Sequence, residues 1–161
     1  LLEVSREVQA EGWSFNKEYH YEMNPDTNNE ILIPNNMLQI DATQNAANAQ
    51  VDVIRRSGKL YDKAHHTFTF TKTIECDITW LLDWIDLPTP IADYITCRAA
   101  KTASSRIVGD GTQYQMLQQK EQEAKVAVME YECNQGDYTF FGHPGNTNTY
   151  ISYKPYNALL R

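Results

Sequence analysis

A chain of 161 residues, 42% of them hydrophobic, is long enough to bury about two-thirds of its extended surface and to hold a real core. Its formal charge of −7 argues against a protein that clasps nucleic-acid phosphates through a basic patch, though not against a surface past which DNA slides. Cys76, Cys97 and Cys133 lie far apart, which suits free, buried thiols in a reducing compartment better than a disulfide frame or a zinc site, and no apolar run approaches the ~20 residues of a membrane span.

The chain opens on Leu1-Leu2, already in a helical pattern, so residues of the native protein are expected before it. Leu1, Val4 and Val8 fall on one helical face with Glu3, Arg6, Glu7 and Glu11 off it, and Gly12 is the stop. Trp13-Ser14-Phe15 then leads into residues 17–23, where Tyr19, Tyr21 and Met23 alternate with polar residues as in a half-buried strand. Asn24-Pro25-Asp26 turns the chain. Residues 31–33 and 37–40 are brief apolar runs separated by Pro34-Asn35-Asn36, and residues 41–50, polar and small, are expected as a surface loop. The segment Arg55-Arg56-Ser57-Gly58 is flanked by apolar runs and predicts a hairpin in which Gly58 takes a positive φ. In residues 67–76, Phe68, Phe70, Lys72, Ile74 and Cys76 alternate with threonines, which predicts one long strand with a wet face.

Leu87-Pro88-Thr89-Pro90 changes the regime, with Thr89 expected as N-cap and Pro90 at the first helical position. Ile91, Ile95, Ala99, Ala103 and Ile107 step by four along this helix, and Arg98, Lys101 and Arg106 sit where the dipole favours cations. Gly109-Asp110-Gly111 breaks the chain, and Thr112, with Gln115 reaching back to it, has the spacing of a capping box that starts a long helix running to a stop at Gly136. Residues 118–123 are polar on every side, whereas residues 124–133 are apolar on nearly all sides. Val128 and Tyr131 make one stripe there; Val126, Met129 and Cys133 make a second. Such a helix is expected to stand clear at one end and to be clamped between neighbours at the other. The tail that follows is rich in Gly, Asn, Thr and Tyr, and its tyrosines at 150, 153 and 156 suit docking on a partner.

The layout predicts an α+β fold. A helical bundle of the first helix and a C-terminal helical hairpin (residues 1–16 and 88–136) surrounds an inserted small antiparallel β domain (residues 17–87), followed by an extended C-terminal arm (residues 137–161). Sharper chemistry finds little support. His65-His66, read as adjacent residues of a strand, point to opposite faces and lack a third ligand, so no metal site is expected. The carboxylate pairs Asp83/Asp86 and Glu130/Glu132 are expected as solvated or interface charge, and Gly109-Asp110-Gly111 as a turn between helices. Trp13 is expected in the core, and Trp84, beside Asp83 and Asp86, could reach an interface.

Three blocks together resemble one family: Gly12-Trp13-Ser14-Phe15-Asn16 after a helix, Arg56-Ser57-Gly58-Lys59-Leu60-Tyr61-Asp62 in the hairpin, and Glu123-Ala124 with Met129-Glu130-Tyr131-Glu132 and Gly136-Asp137-Tyr138 in the long helix and its exit. Asp86-x-Pro88 and the ending Leu159-Leu160-Arg161 add to it. The chain resembles tail tubular protein A of short-tailed, podovirus-type phages, whose members normally carry further helices before this point. The resemblance implies a structural virion protein rather than an enzyme, with no cofactor and no metal. It implies a dodecameric head-to-tail adaptor ring between the portal protein and a nozzle of the tail tubular protein B type, assembled in the host cytoplasm, through which double-stranded DNA passes without specific binding. On that reading Ala124, Val126, Val128, Met129 and Tyr131 are expected at the subunit interface. Tyr150, Tyr153, Tyr156, Leu159 and Leu160 form a portal-docking arm, and Arg55, Arg56, Ser57 and Gly58 a nozzle-facing hairpin. The alternative from another class is a tail-associated glycan or peptidoglycan hydrolase using exposed carboxylates.

Overall fold

The structure is a computed structural model that describes residues 1–43, 48, 51–107 and 109–136. Its first helix, α1 (Leu2–Ala10), buries Val4 and Val8 and leaves Leu1 and Leu2 in solvent, and Gly12 ends the turn behind it at φ 75°. The β region follows as β1 (Lys17–Met23), β2 (Met37–Ala42), β3 (Val53–Arg56), β4 (Lys59–Asp62) and β5 (Ile74–Trp80). After a single 3-10 turn at Trp84–Asp86 come α2 (Thr89–Ile107) and α3 (Gly111–Gly136). The fold is therefore α+β, with helices at both ends of a strand region.

β5 is the centre of a three-stranded antiparallel sheet in the order β1-β5-β2, and β3 and β4 pair as a separate hairpin. Along β5 the side chains of Ile74, Cys76 and Ile78 enter one core, with Met23, Ile31, Ile33, Leu60 and Phe70. A second core gathers Val4, Val8, Trp13, Leu87, Ile91, Tyr94, Ile95 and Val128 from the helices and the turn after α1. Trp13 is in the core, as its sequence context predicts.

A buried polar joint ties the two. The Asn16 side chain donates to the carbonyls of Gln9 and Trp80 at 2.9 and 2.8 Å, while the Asn16 backbone carbonyl accepts from the Trp80 N–H at 2.8 Å. Gln9, completely buried, donates to the Leu82 carbonyl and accepts from the Leu82 N–H at 2.7 Å. Every polar atom of such a joint needs its partner, because an unpaired buried amide costs roughly 1–3 kcal/mol. The joint thus fixes how the end of β5 meets α1.

Several expectations are corrected. The alternation in residues 67–76 is not one strand: β5 starts at Ile74, and the stretch before it makes only isolated bridges, Thr67 to Asp62 and Thr69 to Glu30. Its Phe70 N–H goes to the Asn29 carbonyl, and the Thr67 hydroxyl bonds back to Thr69, so the segment hops between partners instead of running along one. In β1 a bulge between Glu18 and Tyr21, with His20 at φ 56°, breaks the expected alternation and leaves Tyr19 and Tyr21 largely exposed. The supposed surface loop after residue 40 starts inside β2, and its described residues Thr43 and Asn48 are buried. Thr43 donates to Asp77 at 2.6 Å and Asn48 to the Glu75 carbonyl at 2.8 Å.

Helix caps differ too. Thr89 is already helical, and the Pro88 carbonyl accepts the first helical N–H bonds, from Ile91 and Ala92. At α3 the cap is Asp110, whose carboxylate accepts the Thr112 N–H at 2.9 Å, two residues before the expected cap at Thr112, which is itself helical. Gly136 belongs to α3 as its last residue. The step-of-four stripe of α2 is buried at Ile91 and Ile95 but reaches solvent by Ala103 and Ile107, where Ser104 is buried instead.

Candidate functional site

α3 carries the feature that sets this molecule apart from an ordinary amphipathic bundle. At about 100° per residue, Val126 and Val128 stand about 200° apart, on opposite faces of the helix. Val128 is 0% exposed and packs with Val4, Val8 and Ile95, and Ala124 packs against the same core. Across the helix Val126 is 68% and Met129 49% exposed, with Cys133 exposed on the same side. The two stripes seen in the sequence thus part company. One is the chain's own core; the other is left uncovered. Of the five residues expected at a subunit interface, Val128 and Ala124 serve the inner face, Tyr131 is half-buried, and Val126 and Met129 face outward.

The inner face is held in register by polar contacts as well. Glu121, inside the polar band 118–123, pairs with Lys101 of α2. Further along, the buried Glu132 carboxylate accepts the Ser14 N–H at 2.9 Å and its hydroxyl at 2.8 Å, which ties α3 to the turn behind α1. Arg98 of α2 reaches both Glu7 and Glu11 of α1 at 3.2 Å, and Arg106 reaches Glu3 at the same distance. These exposed pairs are each worth about 0–1 kcal/mol, so they set the alignment of α1 on α2 more than its stability. Sequence reading placed these cations by the helix dipole alone; the four-residue spacing of Glu3, Glu7 and Glu11 was the available signal for a facing basic helix.

The hairpin expected to face a partner is real. Ser57 and Gly58 both take positive φ, 54° and 73°, the geometry of a tight two-residue turn whose twist matches the strands. Arg55 and Arg56 lie in β3 and not in the turn. Arg55 donates to the Met37 carbonyl and to the Asn35 side chain, and the Arg56 guanidinium sits 4.1 Å above the Tyr61 ring. Both arginines are thus engaged by their own chain, and exposed Ser57 stands at the tip. At the base, buried Asp62 accepts from the Ala64 N–H at 2.8 Å and pairs with His65 at 2.6 Å. Burial pushes its carboxyl up, but the hydrogen bonds from His65, Ala64 and Asp52 outweigh this and hold it below the usual carboxylate value. His65 and His66 lie in a turn, not a strand, with His66 at φ 54°.

In neither of the two carboxylate pairs singled out in the sequence do the partners face each other across a cleft. Glu132 is occupied by Ser14 while Glu130 faces solvent, and Asp83 and Asp86 stand exposed on the 3-10 turn. An open groove of about 470 Å³ lies on the wet side of the sheet, between Lys17, Glu18, Gln39, Asp41, Asp77 and Thr79. Cys133 corrects the expectation of three buried thiols, since only Cys76 is fully buried and Cys97 is half-buried. The arm residues Tyr150, Tyr153, Tyr156, Leu159 and Leu160 lie outside the described residues. No described helix is long and apolar enough to cross a membrane.

The family model for tail tubular proteins matches residues 1–138, a span that holds all three motif blocks read from the sequence. The chain belongs to the tail tubular protein family. No curated protein matches it. Membership makes this tail tubular protein a structural component of a podophage-type virion tail. Its motif blocks also acquire physical jobs. Gly12 ends α1, Trp13 fills the helical core, Ser14 binds Glu132 of the third block, and Asn16 joins the two cores.

Proposed function

We propose that this tail tubular protein is the head-to-tail adaptor, a dodecameric ring between portal and nozzle that works by assembly and not by catalysis. The observation that carries the reading is the outward apolar stripe of α3, exposed at Val126 and Met129 among the described residues. A ring supplies the neighbour that covers it. In this arrangement the helical bundle of residues 1–16 and 88–136 lies under the portal, gripped through Tyr150, Tyr153, Tyr156, Leu159 and Leu160. The inserted β domain of residues 17–87 points the hairpin that carries Arg55, Arg56, Ser57 and Gly58 toward the nozzle. The charge of −7 suits a channel that lets phosphates pass without holding them. The ring forms in the host cytoplasm before it enters the virion.

Electron cryomicroscopy of the purified protein mixed with portal rings tests this. The expected image is a coaxial ring of this chain stacked on the portal. A chain that remains monomeric and leaves the portal bare under assembly conditions overturns it.

A further inference from the structure

The outward face of α3 has a second property besides exposure. Gln115, Gln119, Gln122, Val126, Met129 and Cys133, all exposed, follow one another at alternating steps of four and three residues, the seam spacing of helices that pair side by side. Its first three positions are glutamine, so the apolar part of the seam is confined to Val126, Met129 and Cys133. The two edges of the seam differ in charge. One carries Met116, Glu123 and Glu130; the other carries Gln118 and Lys125, and all five are exposed. Glu132, next on the second edge, is turned inward onto Ser14. Lys125 and Glu130 form no ion pair among the described residues, and Glu123 accepts only from Gln119 of its own helix, at 3.0 Å.

A seam of this length needs a helix to lie against it, and the described residues offer α2 and α3. All three basic residues of α2 are tied within the chain, Arg98 to Glu7 and Glu11, Lys101 to Glu121 and Arg106 to Glu3, so α2 has no spare cation for Glu123 and Glu130. The exposed side chains of Leu2, Leu32, Ile85 and Ile107 sit on separate segments, and none is flanked along its own segment by free charges of both signs. α3 itself offers both. We infer that α3 of one copy lies parallel to α3 of the next, with the Lys125 edge of the first against the Glu123 and Glu130 edge of the second, and with Met129 and Val126 between them. Charge decides the direction. Antiparallel helices would set Glu123 and Glu130 against their own counterparts and Lys125 against Lys125, whereas parallel ones bring Lys125 to Glu130 and Gln118 to Glu123. The contact is heterologous, since each copy gives its basic edge to one neighbour and its acidic edge to the other, and copies around one rotation axis all point the same way. This rests on the ring reading and deepens it by naming the surface and the direction of the contact.

The whole chain tests it through Lys125→Glu and Glu130→Lys, both exposed positions, with folding checked by circular dichroism and melting. Each variant alone sets like charges against each other and is expected to assemble about tenfold or more weakly than the wild type by mass photometry. An equimolar mixture of the two, and the double variant Lys125→Glu/Glu130→Lys, are expected to regain wild-type assembly, because opposite charges face each other again at every contact. In a Cys97→Ser/Cys133→Ser background, Lys125→Cys together with Glu130→Cys is expected to give a ladder beyond dimers with a short bis-maleimide, and Lys125→Cys alone to give no cross-link. A wild-type chain that never assembles overturns the ring reading and this contact together. If the wild type assembles but both single variants assemble as well, or the mixture and the double variant fail to recover, or Lys125→Cys alone cross-links, this contact is wrong while the ring stands.

Discussion

Ser14 donates its backbone N–H and its hydroxyl to the same carboxylate, that of Glu132, at 2.9 and 2.8 Å and across 118 residues of chain. The contact locks the far half of α3 onto the turn that follows α1, beside Trp13, whose indole N–H donates to the Val8 carbonyl at 2.7 Å. Replacing Glu132 by Ala leaves two donors without their acceptor in a half-buried site, at an expected cost of about 1–3 kcal/mol. Ser14→Ala removes one donor and keeps the other bond, so its expected cost is about 1 kcal/mol or less. Urea denaturation midpoints of the two variants give the ranking. Equal losses would mean that the hydroxyl, not the carboxylate, organises the joint.

Val126 and Val128 are two residues apart in sequence and opposite in consequence. Val128→Ala removes two methyl groups from a site with no solvent access, with an expected loss of roughly 2–3 kcal/mol from transfer and cavity together. Val126→Ala is expected to change monomer stability by less than about 0.5 kcal/mol while weakening self-association. Val128→Asp is therefore expected to fail at folding before it can fail at assembly, and Gln122→Ala, on the outward polar band, to affect neither. Thermal melts paired with sedimentation of the same samples separate the two effects. An undiminished melting temperature in Val128→Ala would contradict the assignment of this residue to the core.

Asp62 makes the base of the hairpin sensitive to acid. Its folded-state pKa lies below the ordinary carboxylate value of about 4, so the stability it contributes is fully present above that value and disappears as pH falls through its lower folded value. Asp62→Asn is expected to lose about 1–3 kcal/mol at neutral pH, where Ala64, Asp52 and His65 lose their charged acceptor. Below about pH 4 the two proteins are expected to converge. Denaturation midpoints from pH 7 to pH 2 measure this, and parallel curves would show that the carboxylate carries no charge-dependent role.

What the sequence made legible was whatever depends on neighbours along the chain. The step from Val4 to Val8, the Ser57-Gly58 turn and the double stripe of α3 all follow from local period and backbone preference. Where partners come from far away, legibility failed. Alternation in residues 67–76 states which side chains share a face, but not that Phe70 and Thr67 hydrogen-bond to different segments. Likewise the sequence shows that Val126 and Val128 belong to separate stripes, while only the packing of α1 and α2 decides which stripe is inside. Asp110 and Thr112, two residues apart, both carry side chains that can cap a helix, and only the course of the helix axis ranks them.

The three thiols should report on the fold through their reactivity. Cys133 stands exposed on the outward stripe of α3, Cys97 is half-buried, and Cys76 is enclosed in the sheet core, where burial first, with Asp77 and Asp41 adding to it, pushes its thiol up to about 12. Only the thiolate attacks a maleimide or an aromatic disulfide, so at pH 8 Cys76 is both shielded and protonated. Native protein is expected to be labelled quickly at Cys133, more slowly at Cys97, and at Cys76 only as fast as the β core opens, with all three labelled at once in strong denaturant. In the proposed ring Cys133 is expected to become slow as well, because that proposal has a neighbouring copy cover the face that carries it. Mass spectrometry of labelled peptides over time distinguishes the sites. Rapid labelling of Cys76 in the native chain would show that β5 does not stay paired with both β1 and β2.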